Sequence, residues 1–173
     1  MNVFGIAGWS NSGKTTLIEQ LLPLLAARGL RVSVVKHAHQ KFDIDKPGKD
    51  SFRFREAGSH EVLISSPARW ALMREHRETE EPGLDELLSH LSDCDLVLVE
   101  GFKREAIAKL EVHRAANGKP LLSPDDPRIV AVASDVPIAT SLPQFRLDDV
   151  ERVADFIVEV TATAAVGRRA SVP

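Results

Sequence analysis

The chain opens on an uncharged run, Val3 to Ala7, and after a polar stretch its apolar positions recur at Leu17, Ile18, Leu21, Leu22, Leu24 and Leu25. The first run suits a short buried strand; the second spacing follows one face of a helix of about 3.6 residues per turn and predicts Thr15 to Arg28 as helical. Gly29 stops that helix, and Pro23 predicts a kink within it. Arg31 to Val35 is rich in β-branched residues and predicts a second strand, parallel to the first because a helix connects them. His37 to Asp50 is polar and holds Pro47 and Gly48, so it reads as a long loop before a short helix, Ser51 to Ala57, stopped by Gly58. Glu61 to Ser65 and Arg69 to Arg74, split by Ser66-Pro67-Ala68, predict a hairpin that extends the sheet. Leu84 to Leu91 predicts a helix, and Asp95 to Val99, "DLVLV", a strand buried on both faces. Lys109 to Val112 and Ile129 to Ala133 predict two more strands and Asp148 to Val160 a last helix, while 161–173 carries no pattern and is expected to be a mobile tail.

Composition narrows the class. At 173 residues and 43% hydrophobic the chain can bury one core, so a single domain over 1–160 is expected. A net charge of -3 provides no general basic field, and neither nucleic acid nor a membrane surface is an expected partner. Any anion site is therefore local. The single Cys94 cannot form an internal disulfide, and no leader or apolar stretch of membrane-spanning length is visible, which predicts a cytoplasmic protein. Cys94 itself reads as a small residue at a strand end, since a lone thiol has no partner for metal or redox chemistry.

The polar stretch after the first strand carries the candidate chemistry. Gly8-Trp9-Ser10-Asn11-Ser12-Gly13-Lys14-Thr15 matches G-x-x-x-x-G-K-[ST], with a strand before it and a helix after it. Glycines let backbone N–H groups curl around a phosphate chain, the helix N-terminus adds partial positive charge, and Lys14 adds a full one. Thr15 is positioned to ligate Mg²⁺. Such sites also need an acid near the metal, and two compete for the role: Asp95 opens "DLVLV" and Glu100 follows it, roughly 16 Å away at about 3.3 Å per residue. Ligands of parallel sheets bind at the carboxyl ends of strands, which selects Glu100. Gly101 then permits close backbone approach, and Lys103 either faces the same side or is a surface lysine.

Further candidates follow the second strand. Asp43 or Asp45 can position a water, and Lys36, Lys49 and Arg53 can meet phosphates. His37 and His39 have an H-x-H spacing, but two histidines without cysteines are thin for zinc and read as hydrogen-bonding loop residues. Asp135 ends the strand "IVAVAS" and either accepts the paired N–H donors of guanine, favouring GTP over ATP, or opens a turn before Val136-Pro137. Trp9 either covers the ligand or packs beneath the loop.

Three stretches together, "GWSNSGKTTL", "VVKHAHQKFDIDKPGKDSFRFREAGS" and "DLVLVEGFK", resemble the molybdopterin-guanine dinucleotide biosynthesis protein B family of GTP-binding proteins. The likeness runs from Val3 to roughly Phe156; a phosphate loop is widespread, whereas D-x-D-x-P-G-K-D-S joined to V-E-G-F-K is far more specific. The resemblance implies a P-loop NTPase of α/β class, its mostly parallel sheet flanked by helices, a homodimer formed partly through its strands, and a slow Mg²⁺-dependent GTPase at most. It implies as partner a molybdenum cofactor guanylyltransferase, which joins GMP to molybdopterin, and raises molybdopterin as a further ligand. Carried over by position, Gly8, Ser10, Asn11, Ser12, Gly13, Lys14, Thr15 and Thr16 would hold phosphates and metal, Glu100 would be the strand-end acid, and Asp45, Lys49, Asp50 and Arg53 fall in the second motif. Lys14 and Asp45 are the candidate catalytic residues. The loop lacks the second, early lysine of related deviant phosphate-loop enzymes, so a lysine acting across a dimer is not expected.

A different class, a small-molecule kinase or ATP-dependent ligase, would need an acceptor pocket and an arginine-rich lid. Arg69, Arg74 and Arg77 are the candidates for a lid, but glutamates interleave them and the stretch reads as a mixed surface.

Overall fold

The computed structural model describes residues 1–38, 42–77, 81–103 and 105–169, the last six of these by backbone alone. In chain order the elements are β1 (Asn2–Ala7), α1 (Lys14–Ala27), β2 (Val32–Lys36), α2 (Asp50–Glu56), β3 (Glu61–Ser65), β4 (Trp70–Arg74), α3 (Leu84–Ser89), β5 (Leu96–Glu100), β6 (Lys109–His113), β7 (Ile129–Ser134), β8 (Gln144–Arg146) and α4 (Val150–Arg169). A short 3-10 turn, Ala115–Asn117, follows β6. The elements fall into two compact units, Met1–His37 with Leu84–Pro173, and Ala38–Gly83.

The larger unit is built on a six-stranded sheet in the order β2-β5-β1-β6-β7-β8, with every pairing parallel. Strand β5 shows why helices cover both faces. Its alternate residues Leu96 and Leu98 enter the cluster that holds Phe4, Ile6 and Leu110 of neighbouring strands, together with Leu17, Leu21 and Leu25 of α1 and Val153, Ala154 and Ile157 of α4. Val97 and Val99 point the opposite way, against Leu84 of α3 and the half-buried Leu88 and Leu91. Successive side chains of a strand alternate faces, so an all-apolar strand needs two partners. Each fully buried Leu or Val of this set stabilises the fold by about 1.5–3 kcal/mol. Helix α1 runs on through Pro23, and α4 extends to Arg169, beyond the Val160 end that the sequence predicts.

The register aligns the carboxyl ends of the central strands. Ile6 on β1 and Lys36 on β2 both pair with Glu100, so the carboxyl ends of three adjacent strands stand side by side. Asp95 lies at the other end of β5, accepting the Arg31 N–H at 2.7 Å, and that bond holds its carboxyl below the usual range.

The smaller unit holds α2 and the antiparallel pair β3–β4, in register at Val62 with Met73 and Leu63 with Leu72. Here the expectation of a hairpin extending the main sheet is corrected: β3 and β4 form a two-stranded sheet of their own, and the main sheet ends at β2 and β8. Alternation identifies a strand but not the edge it pairs with. The ribbon has its own inner face, burying Val62 and Met73 while Leu63 and Leu72 on the other face stay exposed. Arg55 ties this unit together, pairing with Asp43 at 2.9 Å, Asp45 at 3.3 Å and Glu75 at 2.5 Å.

Candidate functional site

Between β1 and α1 the chain makes a tight loop whose backbone requires glycine at Gly8. Gly8 has φ +145, and a Cβ there would lie 2.4 Å from the Val112 carbonyl oxygen and 2.7 Å from Ser12 Oγ. Asn11 at φ +62 and Gly13 at φ +102 continue the curl, and Gly13 leads into α1 without a side-chain cap. The first N–H groups of a helix have no partners within it, so an uncapped start leaves donors and a positive dipole end for an anion. Ser12 Oγ, nearly fully buried, is the one buried side-chain polar atom without a partner among the described residues. A hydroxyl in that state costs about 1–3 kcal/mol, which an incoming oxygen can offset.

The charged groups converge on this loop. Thr15 Oγ1 donates to Glu100, 3.2 Å from Oε1 and 3.3 Å from Oε2. Glu100 is 8% exposed and also pairs with Lys36 at 3.3 Å. Lys14 Nζ donates to the Trp9 carbonyl at 2.9 Å. Burial holds the Lys14 ammonium below its ordinary pKa; Glu100 pulls it back up, while Lys103 and Lys36 push it down. Of the expected phosphate-site residues, Gly8 to Thr16 and Glu100 thus lie at one end of the sheet, and Lys36 and Lys103 join them. A hydroxyl, a carboxylate and an open helix end beside a lysine suit a phosphate chain with a hard cation, which prefers oxygen ligands and completes its shell from phosphate and water.

A second layer of residues, not singled out from the sequence, holds the loop in place. Trp9 Nε1 donates to the Pro120 carbonyl at 2.8 Å, and Asn117 Nδ2 to the Ser10 carbonyl at 3.2 Å. The 115–126 segment that supplies both is anchored by buried charges on β6: Glu111, fully buried, accepts the Leu122 and Ser123 N–H groups at 2.7 and 2.9 Å, and Lys109 pairs with Asp126 at 2.7 Å. The available signal was two opposite charges at alternate positions of a strand expected to be buried, since charges on one buried face need partners.

Asp135 follows β7, and its Oδ1 accepts the Ala115 N–H at 2.9 Å while Arg114 stands 3.9 Å from Oδ2. Asp43 and Asp45 belong to the smaller unit. Asp45 accepts from Lys46 N at 2.9 Å, Ser51 Oγ at 2.8 Å and Arg55 Nε at 3.3 Å, so its carboxylate organises the start of α2. Lys49 is the N-cap residue of α2 and Arg53 lies 3.6 Å from Asp50, both in that same unit. His37 stacks on Phe102 with ring centres 4.7 Å apart; His39 lies outside the described residues.

Comparison with known proteins places this geometry. Residues 3–135 match the family model described as molybdopterin guanine dinucleotide synthesis protein B. The molybdopterin-guanine dinucleotide biosynthesis adapter protein of Escherichia coli K12 is 46% identical over 160 residues, 91% of this chain and 91% of its own. The protein of the same description from Haemophilus influenzae is 44% identical over 158 residues, 90% of this chain and 86% of its own. A crystal structure of molybdopterin-guanine biosynthesis protein B shares 36% identity and superposes with a TM-score of 0.73, covering 91% of this chain and 99% of that one. The matched stretch spans β1 through Asp135, so the phosphate loop and Glu100 fall within it, and the chain belongs to the molybdopterin guanine dinucleotide synthesis protein B family.

Proposed function

We propose that this chain performs its adapter role in molybdopterin guanine dinucleotide biosynthesis by holding GTP with Mg²⁺ at the phosphate loop, as a cytoplasmic homodimer beside the guanylyltransferase that joins GMP to molybdopterin. The observation that carries the reading is Thr15 Oγ1 meeting both oxygens of Glu100 next to Lys14. Thr15 and Glu100 would hold the metal, which supplies positive charge against the phosphate oxygens. Backbone N–H groups from Ser10 to Thr16 curl toward the phosphates, and Lys14 exchanges the Trp9 carbonyl for them. Asp135 reads the guanine edge: a carboxylate has about four acceptor positions, so its bond to Ala115 leaves room for the N1–H and N2–H₂ donors.

Turnover is slow at most on this reading. Asp45, the candidate for positioning a water, already accepts three hydrogen bonds, which leaves about one of its four acceptor positions for a water. The kinase or ligase alternative has no supporting relative in the comparisons.

The test is GTP and ATP affinity with and without Mg²⁺, for the wild type and Glu100→Gln, followed by hydrolysis with and without the transferase. GTP is expected to bind more tightly than ATP, and Glu100→Gln to weaken the Mg²⁺-dependent part by about 10- to 100-fold. Equal or better ATP binding with fast turnover of a small acceptor would overturn the reading.

A further inference from the structure

The loop contributes one lysine, yet others gather around it, among them Lys119, whose Nζ lies 5.9 Å from the centre of the Trp9 ring. Lys36 reaches Glu100 at 3.3 Å, Lys103 Nζ lies 4.3 Å from the centre of the Trp9 ring, and both stand near enough to Lys14 to depress its pKa. Against Lys14, Lys36 and Lys103 the structure sets Glu100, and a divalent cation at Thr15 would occupy that carboxylate. The lysines would then face the phosphates alone.

The backbone explains how Lys103 comes to be there. Gly101 has φ +94, and a Cβ there would lie 2.8 Å from His37 Cβ. Phe102 follows at φ +43, a conformation an aromatic residue seldom takes, with its ring against His37. Two successive left-handed residues turn the chain sharply after Glu100, and Lys103 returns to the loop. Strain of this kind persists where surrounding structure enforces it and concentrates at ligand sites.

Trp9 is the fixed part of the pair, since Pro120 holds its indole N–H. Lys103 is the movable part, resting at the end of a flexible side chain on an aromatic face. A cation holds such a face more weakly than it holds a phosphate oxygen through a charge-assisted hydrogen bond. Lys36, by contrast, is held by Glu100 until a cation takes that carboxylate, so its release follows the metal and not the third phosphate.

We propose that Lys103 reads the third phosphate of a bound nucleoside triphosphate, resting on the Trp9 indole when that phosphate is absent and leaving it to bond the phosphate when it is present. This deepens the nucleotide reading above and rests on it. The site thereby distinguishes triphosphate from diphosphate, a distinction an adapter needs if its partner consumes the triphosphate.

The test uses the full chain in a Trp70→Phe background, where Trp9 is the sole tryptophan. Trp9 emission is expected to change on adding the Mg²⁺ complex of the non-hydrolysable imido analogue of GTP and not on adding Mg·GDP. Lys103→Gln should weaken binding of the analogue about 10-fold and of GDP less than about 2-fold, and Lys103→Arg should restore the preference. Equal losses for both nucleotides, no loss for either, or the same Trp9 response to both would overturn the proposal while leaving nucleotide binding intact. If the wild type binds neither nucleotide, the nucleotide reading falls and this one with it.

Discussion

Gly8→Ala adds a single carbon to the loop and removes no group that could touch a ligand, which makes it a clean probe of the loop's geometry. At φ +145 an alanine is strained, by about 1–3 kcal/mol. Its methyl would stand 2.4 Å from the Val112 oxygen and 2.7 Å from Ser12 Oγ, and neither obstacle can easily yield: Val112 lies in β6 within the sheet, and Ser12 is 1% exposed. Overpacking of that kind adds about 1–3 kcal/mol, for a total of about 2–6 kcal/mol. In a chain of 173 residues each kcal/mol lowers the unfolding midpoint by about 2–4 °C, so a fall of at least about 4 °C is expected if the fold absorbs the clash. If the loop swings aside instead, Ser12, Gly13 and Lys14 move with it and the loss appears in GTP affinity. Thermal unfolding followed by circular dichroism and calorimetric titration with Mg·GTP separate the two. A variant melting within about 1 °C of the wild type and binding GTP equally well would refute the reasoning.

Two further outcomes can be checked directly. Asp135→Asn keeps an acceptor for the Ala115 N–H but brings donors to the guanine edge, so it should erode the preference for GTP over ATP in competition titrations and leave the unfolding midpoint nearly unchanged; undiminished discrimination would remove Asp135 from the base site. Because burial holds the Lys14 ammonium below its usual pKa, the folded chain loses that proton before the unfolded chain does, and stability gains as pH rises from the folded pKa toward 10.5. Urea unfolding of the wild type and Lys14→Met across that window should show the variant's relative stability shrinking with pH, and a constant difference would contradict the depressed value.

What the sequence disclosed was whatever is local and periodic. Strand β1, helix α1 and strand β5 follow from runs of apolar residues at two recognisable spacings, and Glu100 follows from strand polarity alone. Strand β8, with Gln144 and Arg146 around one half-buried Phe145, has neither length nor alternation to announce it. The hairpin was legible as two strands but not as a separate sheet, because pairing depends on edges far apart in the chain. At the site, the motif identified the loop but not its supports. Pro120 lies 111 residues from Trp9 and offers a backbone carbonyl, which has no sequence signature at all. Asp45 illustrates a different limit: its type and position suggest chemistry, but nothing in the sequence announces that Ser51, Lys46 and Arg55 also bond its carboxylate at a helix start.

The parallel sheet also separates the chain's one thiol from the chemistry. Cys94, partly exposed, lies just ahead of β5, and Glu100 closes the same strand about 20 Å further on at about 3.3 Å per residue. A dye attached at the native cysteine would therefore report from the opposite rim without crowding the loop, close enough to Trp9 for energy transfer between indole and fluorophore. The molecule comes with a single built-in attachment point, and in the Trp70→Phe background occupancy of the loop could be followed optically without engineering a second one.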